Sequence, residues 1–182
     1  MHKIIFVFSL LIVSAFAKPV DIRTAKADKT KSVIAYHMVH PLHSWDGINN
    51  NVDGTIQYDA QTNQIIHAEI IAPVSSFNSK NTSRDSRMAI LTEAVKYPNV
   101  NFVSSSIKYN RSSIEVAGVI TFHGISKQIT FTAEEGYSNN HKTISGEFNL
   151  LMEDFKLERP SLLMMKTNNE FTISFSMDFP LN

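Results

Sequence analysis

The chain has 182 residues, with 17 basic and 17 acidic side chains and no cysteine. That length suits one domain with its own core. Balanced charge gives no electrostatic footprint for nucleic acid or for an anionic membrane as partner. The missing cysteine excludes disulfides, thiol catalysis and cysteine-bound metals.

The N-terminus reads MHKIIFVFSLLIVSAFAKPV. Lys3 supplies a basic start, Ile4 to Val13 an apolar stretch, and Ala15-Phe16-Ala17 a small-residue cleavage site, the pattern of a secretory leader. The apolar run falls short of the roughly 20 residues of a spanning helix, so no stable membrane insertion is expected. The predicted division is a signal peptide over 1–17 and one barrel domain over 18–182, placed in the periplasm or outside the cell. Cleavage removes Lys3 and leaves a net charge of about −1.

The polar stretch KPVDIRTAKADKTK leads into a first strand, KSVIAYHMVH. VDGTIQYD, QIIHAEIIAPVSSF and NVNFVSSSIKY follow as further strands. The second half alternates more cleanly. Ile114, Val116, Gly118, Ile120 and Phe122 share one face, as do Ile129, Phe131 and Ala133. The same holds for Ile144, Gly146, Phe148, Leu150 and Met152, and for Phe171, Ile173, Phe175, Met177 and Phe179. Period-two alternation of this kind marks antiparallel strands with one buried face. The expected fold is all-β: about eight antiparallel strands closed into a barrel, with a two-sheet sandwich as the alternative. Inward Gly118, Gly146 and Ala133 favour some space inside.

One stretch breaks the pattern. In RDSRMAILTEAVKYPNVNF, Met88, Leu91 and Val95 have helical spacing, and Tyr97-Pro98 ends it. A helix over 84–96 is predicted, with Asp85 or Ser83 as its N-cap.

The segments SVIAYHMVHPLHSWDG, VDGTIQYD, PVSSFNSKNTSRDSRM, KYPNVNFVSSSI, VAGVITFHGISKQITF and DFKLERPS resemble, in this order, the YceI-like proteins. These are exported lipocalin-like barrels that bind polyisoprenoid lipids. The resemblance covers essentially the whole chain after the leader. It implies an eight-stranded barrel around an apolar channel, with the helix across one end as a lid. Met88, Leu91 and Val95 would face a lipid tail, with Arg87 and Glu93 toward water. The lining expected from the strand faces is Ile114, Val116, Ile120, Phe122, Phe148, Leu150, Phe171, Ile173 and Phe175, with Phe102 added. Arg84, Trp45, His40 and His43 form the expected polar mouth. The implied partner is a long-chain lipid, such as an isoprenoid quinone or alcohol, with no other cofactor. A homodimer stays open.

The competing class is a secreted metal-binding or hydrolytic β-barrel protein that uses its histidines. His37 and His40 are three apart, which on a strand puts them on opposite faces. No G-x-S-x-G elbow is present, and the adjacent acidic pairs Glu134-Glu135 and Glu153-Asp154 diverge on a strand. His123 falls in a turn and reads as a surface residue. No catalytic or metal residue is therefore assigned, and the chain is read as a binding protein, not an enzyme. A third reading is a plain structural or adhesive β-domain with a filled core. Arg159 serves either as a structural hydrogen-bond donor or as part of the barrel mouth.

Overall fold

The computed structural model describes residues 20–111 and 113–181. The predicted leader and its cleavage site lie outside the described residues. In chain order the strands are β1 (Ile22–Lys26), β2 (Val33–His40), β3 (His43–Asn49), β4 (Asp53–Asp59), β5 (Ile65–Pro73), β6 (Asn99–Tyr109), β7 (Ile114–Phe122), β8 (Ile125–Ser138), β9 (His141–Leu151), β10 (Ser161–Leu162), β11 (Met165–Lys166) and β12 (Glu170–Pro180). Helix α1 spans Thr82–Leu91, between β5 and β6.

Ten strands form one antiparallel sheet in the order β1-β4-β5-β6-β7-β8-β9-β12-β2-β3, and β10–β11 is a separate ribbon. The sheet curls on itself. One end of β12 meets the chain after β1, where the Asp28 N–H donates to the Asp178 carbonyl at 2.8 Å. Edge strand β3 meets the segment after β5, where Ile48 and Asn78 exchange backbone bonds of 3.0 and 2.9 Å. The Asn49 side chain ties the same seam to the Pro73 carbonyl. These seams join the two edges in place of a continuous ladder.

All eight expected strands are present, and the count rises to ten because β1 and β3 carry no alternation signal. β1 exposes every residue but Ala25, so its sequence reads as a polar lead. β3 pairs with β2 through a tight hairpin at Pro41-Leu42 and carries Ser44, Asp46 and an exposed Ile48 on its outer face.

The helix is shorter than expected. Its N-cap is Asn81, whose side chain accepts from the Arg84 N–H. Asp85 is instead a tie to the loop before the helix: its carboxylate accepts from the Ser79 N–H at 3.0 Å and hydroxyl at 2.6 Å. The Thr92 hydroxyl closes the last turn on the Met88 carbonyl, and Glu93 has a positive φ of 46°. Residues after Leu91 therefore leave the helical line, and Val95 stands fully in solvent instead of facing the interior.

Two apolar clusters line the interior. One lies at the end remote from α1 and contains Ile56, Tyr58, Ile65, Ile114, Ala133, Met177 and Phe179. The other lies under α1 and contains Met38, Ile120, Leu150, Met152, Phe155 and Phe171. Gly118 and Gly146 do not leave space. A Cβ on Gly118 would sit 2.5 Å from the Phe102 ring, and one on Gly146 would sit 3.2 Å from the Phe175 ring. The glycines let those phenyl rings approach the neighbouring strand closely, a known way of covering a glycine in a sheet.

Candidate functional site

The curled sheet encloses a cavity of about 520 Å³, within the ~300–1,000 Å³ of ligand pockets. Its walls are built by the alternation read from the sequence. β7 contributes Ile114, Val116, Ile120 and Phe122; β9 contributes Phe148 and Leu150; β12 contributes Phe171, Ile173 and Phe175; β6 contributes Phe102. Register brings them side by side: Phe102 faces Ile120 across β6–β7, and Phe148 faces Ile173 across β9–β12. Met88 and Leu91 form the roof. Burying these groups on strands with one wet face is what dictates the period of two.

At mid-depth four phenyl rings meet. Phe131 stacks on Phe148 at 4.8 Å, meets Phe175 edge-on at 5.6 Å, and touches Phe102 at 5.6 Å. Phe131 stood on an inward face in the sequence but was not assigned to the lining. Other contributors were missed as well, among them Ile56 of β4 and Ile65, Ala68, Ile70 and Ala72 of β5. Ile34, Tyr36 and Met38 of β2 line the wall beside His40, which was expected at the mouth, and that strand's alternation was masked by its polar members. Val74 and Phe77 belong to the seam after β5, where no period applies.

The mouth is a stack of rings. The Arg84 guanidinium lies 4.7 Å from the Trp45 ring centroid, Trp45 lies 5.2 Å from His43, and His43 lies 5.3 Å from His40. This cation–π and ring stack ties α1 to the β2–β3 hairpin. Arg84 also reaches the Ser79 carbonyl at 3.4 Å. His40 is buried, and both ring nitrogens are engaged. Nδ1 accepts from the Leu42 N–H at 3.2 Å, and Nε2 lies 2.9 Å from the Met165 carbonyl. A carbonyl only accepts, so Nε2 carries the proton. His40 thus gives the cavity a ring face and no spare donor. His37 faces outward on β2 and pairs with Asp46 at 2.7 Å. Among the described residues, no three His, Cys, Asp or Glu side chains converge as metal ligands.

Burial raises the Tyr36 hydroxyl above the ordinary phenol range, while the Trp45 side chain beside it acts in the opposite sense. Arg159 is a structural donor: its Nε and Nη2 both reach the Thr167 carbonyl, at 2.9 and 2.7 Å. His123 is no surface residue. Its side chain is only 13% exposed, its Nδ1 lies 2.9 Å from the Phe155 carbonyl, and Nε2 faces Glu93.

One polar atom in this wall stands out. Thr167 is 1% exposed and lines the cavity beside Pro160 and Ser161. Among the described residues, its Oγ1 is the one buried side-chain polar atom without a hydrogen-bond partner. A buried hydroxyl left this way is costly. No sequence signal marked it, because KTNNE reads as an exposed turn.

At the opposite end the interior closes on polar groups. Lys142 is buried and pairs with Glu135, which also accepts from the Tyr109 hydroxyl at 3.3 Å. Tyr109 accepts from the Ile65 N–H at 2.5 Å. These side chains share the inward parity of the cavity wall and plug the sheet beyond its floor.

An antiparallel sheet curled around one apolar cavity, with a helix over the mouth, defines a lipocalin-like β-fold. The chain belongs to the YceI-like domain family, whose model matches residues 26–179. It is 22% identical over 159 residues to protein YceI of Escherichia coli O6:H1, covering 82% of this chain and 83% of that one. The corresponding Salmonella newport protein is 21% identical over 158 residues, covering 82% of each chain. Among solved structures, Burkholderia cenocepacia BcnA superposes with a TM-score of 0.75 at 18% identity, over 84% of this chain and 98% of that one. A polyisoprenoid binding domain from Saccharophagus degradans, implicated in plant cell wall breakdown, gives 0.69 at 13% identity, over 90% and 100%. The Campylobacter jejuni YceI protein gives 0.63 at 19% identity, over 72% and 82%.

Proposed function

We propose that this chain is an exported, non-enzymatic carrier or store for one long apolar lipid of the isoprenoid class, sheathed in the cavity with its polar end at the mouth. The observation that carries the reading is the continuous apolar wall from the floor at Ile65 and Phe179 to the roof at Met88 and Leu91. Each buried CH2 is worth ~0.8 kcal/mol, so an isoprene unit of five carbons contributes roughly 3–4 kcal/mol. Such a chain needs a sheath to cross water. The Saccharophagus neighbour, described as polyisoprenoid binding, supports the ligand class.

Thr167, whose hydroxyl has no partner, lies in the wall beside Ser161 at the mouth, and a small shift of its side chain would offer that hydroxyl to the polar end of an isoprenoid alcohol or quinone. The pattern of the first 17 residues supports export. The engaged nitrogens of His40 weigh against a histidine metal centre at the mouth. Native mass spectrometry and solvent extraction of the purified protein test the reading. One co-purifying lipid per chain is expected; repeated preparations that carry none and take up no isoprenoid alcohol or quinone overturn it.

A further inference from the structure

The ribbon β10–β11 departs from the turn chemistry of the two comparable hairpins. Three hairpins have two-residue loops in which both residues have positive φ: His123-Gly124, Asn139-Asn140 and Leu163-Met164. This geometry favours Gly, which has no Cβ to crowd the following carbonyl oxygen, and Asn or Asp, whose short polar side chains offset that cost by local hydrogen bonds. The first pairs His123 with a glycine, and the second holds two asparagines. The third holds a leucine and a methionine, at φ of 50° and 64°. Neither side chain gains burial in return: Leu163 is 75% exposed and Met164 95%. A strained turn that displays two large apolar groups to water fits no requirement of the fold.

Position gives it one. Pro160, Ser161 and Leu162 belong to the cavity wall, so the ribbon rises from the mouth itself. His40 pins it to the β2–β3 hairpin through the Met165 carbonyl, and the Leu42 N–H bonds the same ring. Leu42, 55% exposed, therefore stands beside the tip. Residues 156–167 carry Lys156, Arg159 and Lys166 against one acid, Glu158. An apolar tip with basic flanks complements an anionic headgroup layer.

We propose that Leu163 and Met164, with Leu42, form a docking finger that enters the headgroup layer of a lipid bilayer and holds the cavity mouth against it. Contact is peripheral and reversible. A lipid tail could then pass between bilayer and cavity without crossing water, so the inference deepens the carrier reading and rests on it for its purpose. Docking itself needs no cargo.

The test is flotation of the purified protein with vesicles of phosphatidylethanolamine and phosphatidylglycerol that contain no isoprenoid. The informative variant is Leu163→Asn with Met164→Gly, which installs the residues this loop geometry favours and touches no cavity-lining side chain. The fold should gain thermal stability, while vesicle binding falls by at least about tenfold. Uptake of an isoprenoid alcohol from ethanol solution should be unchanged. The inference is overturned if the wild type does not float, if the variant floats equally well, or if sedimentation shows the tip instead joining two copies of the chain. Failure of docking with lipid still co-purifying leaves the carrier reading intact; docking with no lipid ever bound removes that reading alone.

Discussion

Thr167 carries the most specific chemistry in the cavity wall. Its hydroxyl is buried without a partner, which in an empty protein costs about 1–3 kcal/mol. Thr167→Val removes that hydroxyl at nearly constant volume. The delipidated variant is expected to melt higher than wild type by calorimetry, while its affinity for an isoprenoid alcohol falls; equal affinity would mean the hydroxyl meets no ligand. At the far end, burial pushes the Tyr109 hydroxyl well above the ordinary phenol range, and the nearby Glu135 charge adds to it. Because the folded value is raised, the folded protein keeps a proton that the unfolded chain releases. That stability is complete below the unfolded phenol value near ~10 and is lost as pH rises beyond it. Tyr36 acts in the same direction. Tyr109→Phe should therefore lower stability at pH 7, by about 1–3 kcal/mol for the orphaned Ile65 N–H. It should also flatten the alkaline decline in urea denaturation, and an unchanged alkaline slope would contradict this assignment.

Among the elements, α1 is the helix with the fewest ties to the core. None of its residues is fully buried, and it is held by Met88 and Leu91 below, the Asn81 cap, the Asp85–Ser79 bonds and the Arg84–Trp45 contact. Elements with few buried contacts open at low free energy. Asn81→Ala removes one cap, worth about 0.5–2 kcal/mol. Amide exchange over 82–91 should accelerate severalfold and lipid release should quicken, with exchange in β7 unchanged. Uniform acceleration across the sheet would show that the helix is part of the global core instead. The sequence carried the existence of this helix, because Met88 and Leu91 repeat at helical spacing. It did not carry its end. Val95 keeps the spacing, but the left-handed Glu93 turns the chain before that position, and no local signal marks that turn. Strands tell the same story. β7, β9 and β12 were legible because each buries one face, whereas β1 and β3 were not, since an edge strand in water needs no alternation. Pattern placed Phe148 and Phe175 inward, but it could not show that Phe102 and Phe175 occupy the space above Gly118 and Gly146.

On the scale of the whole molecule, the parts divide between a closed floor, an apolar tube and a gated mouth. Buried Lys142, paired with Glu135 beside Tyr109, lies at one end. The ring stack from Arg84 to His40 and the helix roof define the other. Between them nearly every wall residue is aliphatic or aromatic. The chemistry available there is apolar burial along the tube and hydrogen bonding at its mouth. The central claim is that this tube holds one lipid chain, and stoichiometric uptake by delipidated protein tests it most directly. Native mass spectrometry after incubation with a long isoprenoid alcohol should show one molecule bound per wild-type chain. Ile120→Trp with Phe148→Trp, which fills the tube at mid-depth, should bind none while keeping its β-sheet circular dichroism. Equal uptake by the filled variant, or no uptake by the wild type, would contradict the account.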